Sequence, residues 1–146
     1  MSKGNTFEND FLKLIFNGTA IADLAENDSS SPKTVLWLGL HTGTGPAETG
    51  DQTTAEVATS AYGGYTRKSV ARTTTGFTVT NNSVSPAANL DFPSCTSGTA
   101  TITYAGIGTA SSGAGKLLYK GTVTSNISVS AGVIPRLTTA SAITED

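Results

Sequence analysis

The residues that could carry chemistry are few, and each lacks a partner at the spacing its chemistry needs. Gly106-Ile-Gly-Thr-Ala-Ser-Ser-Gly-Ala-Gly-Lys116 looks like a phosphate loop, in which glycine amides cradle phosphates and a lysine reaches them. The pattern G-x-x-x-x-G-K-[ST] would need Gly where Ala110 stands and a hydroxyl where Leu117 stands. A phosphate loop also opens a helix, whereas Leu117-Leu-Tyr-Lys-Gly-Thr-Val123 is strand-like. The glycines are therefore expected to serve a hairpin connection.

His41 is the single histidine, so a metal site or a triad would have to be assembled around one ring at the end of an apolar strand. A structural role is expected. Cys95, the single cysteine, has no CxxC partner and no base near it in sequence, so it reads as a small apolar residue. The eleven acids could supply a carboxylate pair for glycoside hydrolysis. Glu48, Asp51 and Glu56, however, lie in or beside a polar loop, and Asp91 is alone among the later strands. All four read as solvated charge. No catalytic residue, metal ligand or cofactor is assigned, and the chain is expected not to be an enzyme.

Four Asn-x-Ser/Thr matches at Asn17, Asn27, Asn81 and Asn126 arise readily by chance in a chain rich in Asn, Gly, Ser and Thr, and are not read as glycosylation sites. Tyr62, Tyr65, Tyr104 and Tyr119 could stack on sugar faces, but tyrosines along strands more often fill sheet faces or interfaces. The candidate interface residues are Phe7, Phe11, Leu14, Trp37, Tyr62 and Tyr65.

The elements that must position these side chains follow from periodicity. Phe7, Phe11, Leu14 and Ile15 fall at helical spacing within Thr6–Phe16, with Thr6 as N-cap and Gly18 as the stop. The stripe could pack on the chain's own sheet or dock on a neighbouring subunit. The polar runs Asp23–Lys33 and Gly43–Thr54 read as surface loops, the second one mobile. Strands are predicted at Thr34–Thr42, Thr66–Arg72, Gly76–Thr80, Ser83–Phe92, Thr99–Ile107, Lys116–Thr122, Ile127–Val129 and Val133–Thr138. In Thr99–Ile107, Ala100, Ile102 and Tyr104 should share one face and the threonines the other. Short strands in such a series favour a jelly-roll-like antiparallel β-sandwich.

Composition sets the outer bounds. At 146 residues the chain suits a single domain, with a helix at about 6–16 and a β-sandwich over about 34–140. The hydrophobic fraction of 37% and the charged fraction of 14% leave a Gly/Ser/Thr-rich remainder that disfavours helix. A net charge of −2 with scattered basic residues offers nucleic acid no positive field. One cysteine excludes an intrachain disulfide. The N-terminal Met-Ser-Lys-Gly-Asn has no signal pattern, and no apolar run approaches the about 18 residues of a membrane span. A soluble product made in a cytoplasm is expected, with no membrane partner.

The order of segments adds a resemblance. A helix ends in Leu14-Ile-Phe-Asn-Gly-Thr-Ala20, then come Val35-Leu-Trp-Leu-Gly-Leu-His-Thr42 and Gly64-Tyr-Thr-Arg-Lys-Ser-Val70. Asn89-Leu-Asp-Phe-Pro93, Ile102-Thr-Tyr-Ala-Gly-Ile-Gly108 and Gly115-Lys-Leu-Leu-Tyr-Lys-Gly-Thr-Val123 follow. Together, over nearly the whole chain, they resemble small tailed-phage capsid cement or decoration proteins, a family frequently labelled tail fibre proteins. The resemblance implies a jelly-roll-like sandwich on the outer capsid surface of the virion, made in the host cytoplasm. There it would be a homo-oligomer, dimer or trimer, bridging and stabilising the major capsid protein shell. A tail-fibre or receptor-binding module is the alternative it leaves open.

Overall fold

The computed structural model describes residues 5–21 and 33–145. Helix α1 (Asn5–Leu12) runs into a π-helical turn (Lys13–Asn17). The strands that follow among the described residues are β1 (Val35–Thr42), β2 (Lys68–Ala71), β3 (Phe77–Thr80), β4 (Ser83–Pro86) and β5 (Leu90–Asp91). After them come β6 (Thr99–Gly108), β7 (Leu117–Ser130), β8 (Arg136–Leu137) and β9 (Ile143–Thr144). The pairs β1–β6, β3–β4, β4–β9 and β6–β7 are all antiparallel. The fold is thus mainly β and antiparallel with one short helix near the N-terminus, as the sequence predicts.

The chain forms two compact units interleaved in sequence: residues 1–36, 70–89 and 137–146 in the first, 37–69 and 90–136 in the second. Neither is a contiguous stretch; three of the four divisions fall within β1, β2 and β8 and the fourth just before β5, where no composition shift could mark them.

In the first unit, α1 and the π-helical turn pack on β3, with α1 also on β4. Glu8, Leu12 and Phe16 form the buried stripe, whereas Phe11, Leu14 and Ile15 are half-buried. The buried stripe is thus displaced from the predicted one already within α1, and the turn that follows is π-helical. Gly18 ends it at φ 66, its N–H bonding back to Lys13 O, and Thr19 N–H reaches the same carbonyl at 3.1 Å. Thr6, the expected N-cap, lies inside α1. Two of the carbonyls left open at the helix end, Leu14 O and Ile15 O, accept from the Arg72 guanidinium, a cation placed where the helix dipole favours one. Phe16 meets Phe77 edge to face, with centroids 4.9 Å apart. The three-stranded sheet β3-β4-β9 turns at Asn81, whose φ of 54 suits an Asx residue. Strand β9 lies beyond the predicted end of the sandwich at about residue 140: Ile143 pairs with Val84.

The second unit is framed by the sheet β2-β1-β6-β7. The alternation predicted for Thr99–Ile107 holds to Ile102 and then slips. Pairing with β7 jumps from Ile102↔Ile127 to Tyr104↔Thr122, so residues 123–126 bulge opposite Thr103, and Ser125 takes φ 59. The two strands predicted at Lys116–Thr122 and Ile127–Val129 are the paired flanks of this bulge in one long β7. Leu38, Leu40, Val57, Phe92, Ile102 and Val129 fill the interior. Beside them Phe92 N–H donates to Pro135 O and Cys95 N–H to Val133 O, at 2.9 and 2.8 Å. Of the two predicted loops, Asp23–Lys33 lies outside the described residues except at Lys33.

Candidate functional site

The chemistry-bearing side chains of the second unit converge on one place. Segment 53–57 lies along β1: Thr42 N–H donates to Ala55 O and Val57 N–H to Leu40 O, each at 2.9 Å, and His41 bridges Glu56. This pairing turns the Glu56 carboxylate inward. It meets Arg67, whose side chain is 2% exposed against 16% for Glu56. Arg67 Nε donates to Oε1 and Nη2 to Oε2, both at 2.7 Å, the two-pronged geometry a planar guanidinium favours. The expectation of a solvated Glu56 is therefore corrected, because backbone pairing with β1 carries it into the interior.

Tyr65 completes the carboxylate's shell. Its hydroxyl donates to Glu56 Oε1 at 2.9 Å and accepts from Leu40 N–H at 2.9 Å. Burial, first of all, pushes the Tyr65 hydroxyl pKa well above its ordinary value. The bonds to Glu56 hold the Arg67 guanidinium further toward its charged form. His41 is 1% exposed, with Nδ1 3.0 Å from Thr54 O, and burial holds its pKa below the usual imidazole value.

The cluster grips a loop from below. The glycine-rich stretch is the β6–β7 hairpin, with Gly108 opposite Leu117 and Thr109 N–H on Lys116 O at 3.2 Å. Arg67 Nη1 donates to Ala110 O and Nη2 to Gly113 O, both at 2.9 Å. Gln52, also buried, clasps Ala110 from both sides: Oε1 accepts its N–H at 2.9 Å and Nε2 donates to its carbonyl at 3.3 Å. Gln52 N–H donates to Gly115 O at 3.0 Å. Residues 111–114 remain exposed above this clamp.

The other acids have local partners. Glu48 meets Lys120 at 2.7 Å and stays 88% exposed. Asp51 accepts from the Thr53 hydroxyl at 2.6 Å and its N–H at 2.8 Å, which lowers its pKa. Asp91 accepts from both Nε and Nη2 of Arg136, which lowers its pKa as well. Cys95 is buried, its Sγ donating to Ser97 O at 3.2 Å. Among the described residues no three His, Cys, Asp or Glu side chains gather as metal ligands would. No helix there is long and apolar enough to cross a membrane.

The candidate interface residues divide. Phe11 and Leu14 are half-buried in the first unit, Trp37 half-buried in β1; Phe7 lies in α1 with its side chain outside the described set. Tyr62 and Tyr65 are interior residues of the second unit, 0% and 7% exposed, with ring centroids 5.3 Å apart. The Tyr62 hydroxyl donates to Pro93 O, and burial pushes its pKa up to about 12. Both are out of reach of a partner. Gln52 and Arg67 were not singled out; the available signal was that Tyr65 and Arg67 stand two apart, the spacing that aims extended side chains the same way.

A mainly β, antiparallel chain whose buried charges hold its own backbone has the make-up of a structural protein. The family model described as Podophage GP4 fiber I protein gp80 matches residues 2–144. The chain belongs to that family and is a structural component of a phage virion. No curated protein matches it.

Proposed function

We propose that the chain is a fibre-type attachment component of the phage tail, working by protein–protein contact and without catalysis. The observation that carries this reading is the clamp: Arg67, Glu56 and Gln52 hold backbone groups of an exposed glycine- and serine-rich loop. Ordering such a loop costs conformational entropy, and a loop ordered before contact loses less on binding. The loops at 43–54 and 111–115 are the contact surface in this reading. Glu56 supports it too, because both its oxygens are committed to Arg67 and Tyr65 and so serve the fold. Partners are other tail proteins and further copies of the chain, with neither nucleic acid nor membrane involved.

The second reading is a capsid cement protein bound to the outer face of the major capsid protein shell. The segment-by-segment resemblance to cement proteins favours it. Fractionating virions into tail-less heads and free tails, and measuring the chain in each, separates the two. Fibre attachment predicts recovery with tails. Many copies on heads alone would establish the cement reading in its place, and absence from both fractions would overturn both.

A further inference from the structure

We propose that His41 is an acid-sensitive latch: its neutral, buried ring holds segment 53–57 against β1, and protonating that ring releases the segment and loosens the loop clamp built on it. The latch is a property of the fold and stands apart from where in the virion the chain sits.

The geometry places the added proton on a ring only 1% exposed, beside a carboxylate already bonded to other donors. Because Thr54 O can only accept, the His41 Nδ1 that lies 3.0 Å from it carries the hydrogen in the neutral ring. A second proton must therefore go to Nε2. That atom sits in a slot between two glycines: a Cβ on Gly106 would lie 2.8 Å from it and one on Gly39 3.3 Å from it. Glu56 Oε1 and the Tyr65 hydroxyl both approach the same Gly39 position, at 3.4 Å. Glu56 Oε1, however, already accepts from Tyr65 and Arg67, so an imidazolium would compete with a guanidinium for one carboxylate.

The titratable groups around the ring come from every packed element. Glu56 lies on the segment that covers it, Tyr65 and Arg67 on the chain that follows, and Asp51 on the loop before. Tyr104 stands opposite His41 on β6, and Lys120 stands opposite Gly106 on β7, engaged with Glu48 and Pro46 O. Burial disfavours the charged ring most; the bond to the Thr54 carbonyl and the Glu56 charge favour it, and Arg67 acts with burial. A histidine whose folded-state pKa is lowered contributes stability above its ordinary range and loses it as pH falls through about 6.5 toward the folded value. With one histidine in the chain, no other imidazole confuses the signal.

The test is amide hydrogen exchange of the full chain between pH 7.5 and 5, corrected for intrinsic rates. It is read at Thr42 and Val57, whose N–H groups bond Ala55 O and Leu40 O. Opening there should rise on the order of tenfold per pH unit below about 6.5. In His41→Gln, whose amide can still donate to Thr54 O, it should not. A flat wild-type profile, or the same rise in the variant, overturns the proposal. Should the variant not fold, the wild-type ring's own NMR titration decides. A midpoint below 6.5 supports the latch, and one at or above 6.5 overturns it.

Discussion

Arg67 donates to four acceptors at once, two on Glu56 and one each on Ala110 and Gly113, and it does so almost wholly out of water. Breaking such a pair from one side leaves the other charge buried and uncompensated. Arg67→Met should cost about 3–5 kcal/mol, measured by urea unfolding followed through Trp37. Arg67→Met with Glu56→Gln should cost less than the two single changes summed, because neither charge is then stranded. Gly108 gives a second test: a Cβ there would lie 2.1 Å from Gln52 Cδ. Gly108→Ala should therefore displace Gln52 from Ala110 and cost about 2 kcal/mol. None of this pairing was legible in the sequence. Glu56 and Arg67 are eleven positions apart across irregular chain, and neither helical nor strand periodicity links them. Isolated acids beside a polar loop look solvated until backbone pairing shows which way they point.

At the scale of elements, period-two and helical patterns revealed more. The helix, its glycine stop, β1, β6 and both flanks of β7 stand near their predicted bounds, because each is a run of apolar residues bounded by turn residues. Two departures stand out. The buried stripe runs through Leu12 and Phe16, so Phe16→Ala should destabilise the first unit by about 3–5 kcal/mol, and Phe11→Ala by clearly less. Thermal unfolding of the two variants compares them. The β7 bulge looks like a break between strands because Ser125 and Asn126 interrupt the rhythm. With Ser125 at positive φ, Ser125→Val should cost about 1–2 kcal/mol, while Ser125→Gly should be neutral or mildly stabilising. Strand β9 was illegible because two residues are too few for a period, and its place is set by Val84 across the sheet.

At the scale of the whole molecule, acid should act through carboxylates as well as through His41. Thr53 holds the Asp51 carboxyl, and Arg136 the Asp91 carboxyl, below the ordinary carboxylate range. Their contribution is present above that range and is lost as pH falls through it. The melting temperature should fall further below about pH 4, and Asp91→Asn should reduce that acid-side fall. High salt should weaken the exposed Asp91–Arg136 pair but spare the buried Glu56–Arg67 pair. In the proposed reading, the charges that stabilise the fold serve to order a surface for contact with other virion proteins. A density map of the intact particle tests that most directly. The account predicts the chain on the tail, with residues 43–54 and 111–115 against a neighbouring virion protein. Density showing both loops in solvent and the contacts made elsewhere on the chain would contradict it.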